Sequence, residues 1–280
     1  MENFYESKNI IRIEDKQKKE LKDYVVKESF YEVIINKKRK FTLSCSPVKI
    51  KELILGRLFS EGLVYNYSQI KEINIRSNKI EVVLNKIDDQ EKKENINNEN
   101  DKYNKEKNKS IDKIINKKFN NKIKANIVFN IIEELSNRSE VFKKTGGVHN
   151  AILSDNVGNI ITFREDIGRH NTVDKIIAYI LKNEINIENK VLAISSRISA
   201  EIVKKVANIN IPIIISQSPP STKAINIAQK EAITIIGFVR KRRMNIYTSE
   251  KRVIYPWQMM NKGILYLINI IINKNFEWEE

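Results

Sequence analysis

Apolar residues recur along the chain in two rhythms, one of period two and one of period three to four, and their succession predicts the elements. Residues 24–35 are rich in Val, Ile, Phe and Tyr, the basic run 37–40 makes a turn, and residues 41–45 return as a second strand. Ser46-Pro47 predicts a helix start, because proline is tolerated in the first turn of a helix. Ile50, Leu53, Ile54 and Leu58 follow at spacings of three and four, and Gly62 closes that helix. Residues 70–84 predict a second hairpin, turning at Ser77-Asn78.

The rhythm stops at residue 86. Between 86 and 124 Lys, Asn, Asp and Glu dominate and too few apolar side chains remain to build a core, which predicts a mobile low-complexity insertion. Helical spacing resumes in 125–135 through Val128, Ile131, Ile132 and Leu135. Strands are then expected at 149–153 and 160–163 around Gly158, a helix at 172–182, and a strand at 191–195. A helix at 199–207, a strand at 211–216, a helix at 221–231 and a strand at 233–238 complete the series. Continuous apolar strands alternating with short helices indicate an α/β layered domain. The expected division is a smaller N-terminal α+β domain (1–85), the insertion (86–124), an α/β cofactor-binding domain (125–248) and a C-terminal extension (249–280).

Composition sharpens this. The chain has 280 residues, is 41% hydrophobic and 30% charged, and carries a formal net charge of +15. No apolar stretch approaches the roughly 18 residues needed to cross a bilayer; the longest, 264–272, is interrupted by Asn269. No membrane partner is expected, and the charged first 20 residues, without an apolar signal core, point to the cytoplasm. A single cysteine, Cys45, excludes an intramolecular disulfide and a zinc site built from several thiolates.

The charge is unevenly made. Arg164, Arg169, Arg197, Arg240, Arg242 and Arg243 account for six of the 12 arginines in a chain whose other cations are 38 lysines. Guanidinium forks grip phosphate bidentately, whereas lysine serves as a point charge on solvated surface. Both histidines lie in Thr145-Gly-Gly-Val-His149 and Glu165-Asp-Ile-Gly-Arg-His170-Asn171, together with Gly146, Gly147 and Gly168. Glycines there and a turn leading into a helix offer backbone N–H groups to an anion, or serve simply as tight turns. Ser195-Ser196-Arg197-Ile-Ser199 and residues 216–222 each follow a strand and open a helix, where ligands gather in open α/β sheets and where helix capping equally occurs. Gly237-Phe238-Val239-Arg240-Lys241-Arg242-Arg243 ends the last strand and suits a pyrophosphate, a nucleic-acid backbone or a solvated face.

In this order the motifs resemble the FdhD/NarQ family of formate dehydrogenase accessory sulfurtransferases, as do Cys45-Ser-Pro and the stretch from Glu52-Leu53 to Glu61-Gly62-Leu63. The resemblance implies a sulfur carrier that takes a persulfide from a cysteine desulfurase. It would pass the sulfur to the bis-guanine-dinucleotide molybdenum cofactor before that cofactor enters formate dehydrogenase. It further implies a cytidine deaminase-like fold for the C-terminal domain, a homodimer, and a cofactor-binding stretch at Phe238, Val239, Arg240, Lys241, Arg242 and Arg243. Gly146, Gly147, His149, Gly168, Arg169, His170, Asn171, Ser196 and Arg197 complete the expected pocket, with Glu165 and Asp166 as acceptors for guanine N–H groups. On this reading the basic surplus serves phosphates, and nucleic acid is not an expected partner.

One departure is plain. The family's Cys-Gly-x-Cys-Gly loop, which carries the persulfide, has no counterpart here; the corresponding region, about 104–110, lacks cysteine, and Ser110 cannot replace a thiolate. Cys45 alone remains. It stands at the end of a predicted strand, where the dipole of the following helix would lower its pKa, or it is a small buried residue. Hence there are two readings, a sulfur carrier working through Cys45 and a cofactor-binding chaperone without sulfur transfer. No metal site is expected: a zinc deaminase centre requires two cysteines beside a His or Cys.

Overall fold

The computed structural model describes residues 4–85 and 121–255. The expected cysteine-free region at 104–110, the apolar run 264–272 and the tail from 257 lie outside them. Among the described residues no helix is long and apolar enough to cross a membrane.

The chain opens with an antiparallel ribbon, β1 (Tyr5–Glu14) and β2 (Gln17–Val26), which charge along its length conceals from periodicity. Its partly sheltered cross-strand pairs are Tyr5 opposite Val26 and Ile10 opposite Leu21, and the Tyr5 and Tyr24 rings meet edge to face at 5.1 Å. The expected strand 24–35 is therefore two strands: β2 ends at Val26, and β3 (Ser29–Ile35) starts a four-stranded sheet. β4 (Arg39–Cys45) pairs with β3; helix α1 (Ile50–Ser60) follows; β5 (Ile70–Arg76) and β6 (Lys79–Leu84) close the sheet in the order β4-β3-β6-β5. Val33, Leu43, Ile80 and Val82 from the strands meet Leu53, Ile54 and Leu58 from α1 in one core.

The larger unit begins at β7 (Ile123–Lys124), so the last residues assigned to the insertion belong to the fold. They precede α2 (Ala125–Asn137) and a short helix, α3 (Glu140–Thr145), capped by the Ser139 hydroxyl and closed by Gly146 in the left-handed region. β8 (His149–Asp155), β9 (Ile160–Asp166), α4 (Arg169–Lys182), β10 (Lys190–Ile194), α5 (Ala200–Asn208), β11 (Ile213–Ser216), α6 (Thr222–Lys230), β12 (Thr234–Arg240) and β13 (Arg243–Ile246) follow. β14 (Val253–Ile254) lies parallel to β7. The central sheet has the order β13-β12-β11-β10-β8-β9, with β10, β11 and β12 parallel and the remaining pairs antiparallel.

Side-chain alternation sorts the two faces of this sheet. Leu192, Ile194, Ile214 and Ile235 face α4, α5 and α6, whereas Val191, Ala193, Ile213 and Ile215 face α2. The result is a three-layer α/β/α unit. The smaller unit docks on it through α1 against α4. Gly56 makes this possible: a Cβ there would lie 1.8 Å from the carbonyl oxygen of Asp174.

Candidate functional site

Strand direction gathers the sequence motifs at one edge. His149 begins β8 opposite Asp166, the last residue of β9; Ala151 pairs with Ile194 at the end of β10, Ile194 with Ser216 at the end of β11, and Ile215 with Ile236 of β12. The turns 166–170, 195–199, 217–221 and 237–243 therefore all leave the sheet at the carboxyl ends of its parallel strands. That is where an open α/β sheet places its ligands. The basic hairpin after β12 and the His170 turn after β9 stand four strand spacings apart, about 19 Å at the usual interstrand distance.

The two serine-rich turns are laced to each other. Ser216 Oγ donates to the Ser196 carbonyl at 2.7 Å, Ser218 Oγ donates to the Ser195 carbonyl at 3.0 Å, and the Ile198 N–H donates to the Pro219 carbonyl at 3.1 Å. Ser199 and Ser221 cap α5 and α6 through their hydroxyls. These serines build the floor; Ser196 is itself buried, while Arg197 beside it is exposed.

The end of β12 carries a β-bulge between Gly237 and Arg240, with Phe238 in the left-handed region at φ 52°. Such a conformation is strained for an aromatic residue and commonly marks a place where a strand is re-aimed. Gly237 is closely packed, since a Cβ would stand 3.0 Å from the Ser218 carbonyl oxygen. Val239 points into the core and offers the site only its backbone. Arg240, Lys241, Arg242 and Arg243 are all exposed, and none has an ion-pair partner among the described residues.

At the other end of the edge, His149 and His170 are half-buried and both are held below the ordinary imidazole pKa, chiefly by burial, with the Arg169 guanidinium adding to it. His170 Nε2 lies 3.3 Å from Glu201 Oε2. Its Nδ1, and Nε of Arg169, are buried without a hydrogen-bond partner among the described residues. Orphaned polar atoms on consecutive residues are costly unless a ligand or water meets them. Glu165 is half-buried; burial raises its pKa, against a hydrogen bond from the Ser139 hydroxyl that lowers it.

Other expected contacts turn inward. Asp166 is fully buried and accepts from the Gly168 N–H and from Asn171 Nδ2, both at 2.8 Å, and from Lys175 Nζ at 2.6 Å, so it is spent and Glu165 is the carboxylate left for a ligand. Asn171 uses its amide N–H groups on Asp166 and on the Ser44 carbonyl, also at 2.8 Å, and so positions the turn instead of lining it. Gly147 packs on Val26, where a Cβ would come within 2.6 Å of its Cγ1, and Gly168 lies against the Asn171 side chain. The glycines serve turns and close packing.

Cys45 is fully buried, and its thiol is pushed up to about 12 by burial, then by the negative charge of Asp166, against the opposing effect of Lys175. The expected help from a helix dipole is missing, because α1 starts only at Ile50. Among the described residues no three His, Cys, Asp or Glu side chains gather in a way that would hold a metal ion.

Periodicity missed the groups that join the two units. Glu52 of α1 accepts two bonds from Arg164, at 2.7 and 3.1 Å, and Asp174 receives Ser60 Oγ at 2.6 Å and Lys205 Nζ at 2.5 and 2.6 Å. Their signal was the Asp174-Lys175 pair in the middle of an otherwise apolar helix face.

Comparison with known proteins places the chain in a family. The model of the FdhD/NarQ family matches residues 26–254. A relative from Shouchella clausii named sulfur carrier protein FdhD is 32% identical over 261 residues, covering 90% of this chain and 97% of the relative. One from Methanocaldococcus jannaschii, named protein FdhD, is 39% identical over 231 residues, covering 82% and 90%. A solved structure described as a formate dehydrogenase accessory protein from Desulfotalea psychrophila superposes with a TM-score of 0.70 at 23% identity, over 90% of this chain and all of that one, a likeness of fold.

Proposed function

The chain belongs to the FdhD/NarQ family, and from that premise we propose that it is an accessory protein for formate dehydrogenase maturation. In this role it would carry sulfur from a cysteine desulfurase to the bis-guanine-dinucleotide molybdenum cofactor before that cofactor is inserted. Relatives named for sulfur carriage support the role. A homodimer working in the cytoplasm belongs to the same proposal, on the family resemblance. The strand order β9-β8-β10-β11-β12 between helical layers supports a cytidine deaminase-like fold for the larger unit.

One observation carries the cofactor part: four basic residues, Arg240 to Arg243, without an ion-pair partner among the described residues, stand at and just beyond a strained bulge at the proposed ligand-binding edge. Guanidinium and backbone donors suit the four phosphates of two guanine dinucleotides. Arg169 and His170 supply orphaned buried atoms at the far end of the same edge. An elongated cargo with two nucleotide arms suits a site whose ends lie about 19 Å apart. Titration with GDP tests this: Arg240→Ala is expected to weaken binding about tenfold, the loss of one charge-assisted phosphate contact. Unchanged affinity there and in His170→Ala removes the site.

A second reading, a cofactor chaperone without sulfur transfer, is favoured by one observation, the burial of Cys45. Sulfur passage needs a thiolate that attacks the outer sulfur of the desulfurase persulfide and releases the desulfurase thiolate. The chain's only thiol is enclosed and protonated. Complementation of a strain lacking this accessory protein decides between the readings. Full formate dehydrogenase activity with Cys45→Ala favours the chaperone; loss of activity, with a persulfide on Cys45 after incubation with desulfurase and cysteine, favours carriage through Cys45.

A further inference from the structure

Asp166 and Lys175 form an ion pair with no exposure at all, in contact with both units and directly beneath the His170 turn. Two charges taken out of water are rarely a net gain in stability, and well-packed apolar replacements are often neutral or stabilising. The carboxylate is also used unequally. Oδ2 takes Lys175 Nζ at 2.6 Å, while Oδ1 gathers Gly168 N–H and Asn171 Nδ2 at 2.8 Å and, at 3.4 Å, the Ser46 N–H. Lys175 also donates to the Glu165 carbonyl at 3.1 Å. Two further bonds cross between the units here, Asn171 Nδ2 to the Ser44 carbonyl and Ile167 N–H to Ser46 Oγ.

We propose that Asp166 and Lys175 are positioning residues for the binding edge. Oδ1 is the hub that fixes the 166–171 turn, Lys175 orients that hub, and residues 44–46 of the N-terminal unit are part of the site because they share it. The turn presents Arg169 and His170 with their orphaned Nε and Nδ1. Without the hub, the Gly168 amide and the Asn171 side chain lose their common acceptor and the turn can rotate. The inference rests on the cofactor reading for what the edge binds, and on the geometry alone for what holds the turn.

Two double variants separate positioning from bulk stability. Asp166→Leu with Lys175→Met removes the hub and both charges while keeping shape, whereas Asp166→Asn with Lys175→Met also removes both charges but keeps an Oδ1 acceptor. Both are expected to fold by circular dichroism. The Leu/Met variant is expected to lose hydrogen-exchange protection at the Gly168 amide and to bind GDP at least about tenfold more weakly, while the Asn/Met variant stays within about threefold of wild type. A folded Leu/Met variant with a protected Gly168 amide and wild-type GDP affinity overturns the proposal. If that variant does not fold, Asn171→Ala decides, because it keeps the ion pair while removing the Asn171 bonds to Asp166 Oδ1 and to the Ser44 carbonyl; wild-type exchange and affinity there overturn the proposal too. Failure of the wild-type chain itself to bind GDP would overturn the cofactor reading, and Gly168 exchange then judges the positioning role by itself.

Discussion

The thiol of Cys45 lies within electrostatic reach of Asp166 and Lys175 and, at about 12, stays protonated across the neutral range. Only the thiolate alkylates at a useful rate. Iodoacetamide at about pH 8 is therefore expected to leave Cys45 unmodified in the native chain and to label it fully in denaturant, read by intact mass. Rapid native labelling would mean that the N-terminal unit parts from the turn and would restore Cys45 as a carrier. His170 works in the opposite sense. Burial holds it below the ordinary 6.5, so the free chain loses stability as pH falls below 6.5 toward that depressed value, where the unfolded state takes up the proton first. A phosphate meeting Nδ1 favours the imidazolium, so binding takes up a proton. GDP affinity is expected to rise by about threefold to tenfold between about pH 8 and about pH 6, and less in His170→Gln. That variant retains the titration of GDP itself, so equal slopes in the two proteins refute a contact at Nδ1.

Among the elements, those with uniform surroundings were legible before any coordinates. The parallel strands β10 and β11 are apolar over residues 191–194 and 213–215 because both faces are covered, and Ser199 and Ser221 stand where the expected caps put them. Less of the site was legible, because its groups are polar and their partners are distant in sequence: Glu52 meets Arg164, and Ser44 meets Asn171. The β1–β2 ribbon was illegible for another reason, since neither face is buried and no alternation results. Gly56 in α1 reads as an ordinary helix weakness, yet it is the crossing point with α4. Substituting Ala gains about 1 kcal/mol of helix propensity, while overpacking typically costs about 1–3 kcal/mol and a backbone carbonyl yields poorly. With the added Cβ 1.8 Å from the Asp174 oxygen, the clash prevails. Gly56→Ala is expected to lower the stability measured in urea by about 1–2 kcal/mol; a stabilised variant would mean that the two helices do not cross this closely in solution.

For the whole molecule, the net charge of +15 first admitted nucleic acid as readily as a phosphorylated cofactor. Three of its clustered arginines, Arg240, Arg242 and Arg243, lie on a short hairpin at one edge of the central sheet, which suits the proposed compact ligand with several phosphates better than a long backbone track. That edge also needs both units. Interfaces between domains usually permit relative motion unless they are extensive and well packed. Here the Arg164–Glu52 pair, the Ser60–Asp174 bond, the Asn171–Ser44 bond and the Gly56 crossing all lie in the junction. A unit as small as the β3–β6 sheet with α1 is marginal by itself. Parting it would also uncover Asp166 and Asp174, carboxylates otherwise enclosed, together with the Cys45 thiol. The two units are accordingly expected to unfold in a single transition, with equal calorimetric and van't Hoff enthalpies. Glu52→Ala is expected to move that whole transition downward without splitting it. Two resolved transitions, the smaller unit melting first, would show that the junction opens by itself; Cys45 would then be exposed in a populated intermediate, and sulfur carriage through it would regain a physical route.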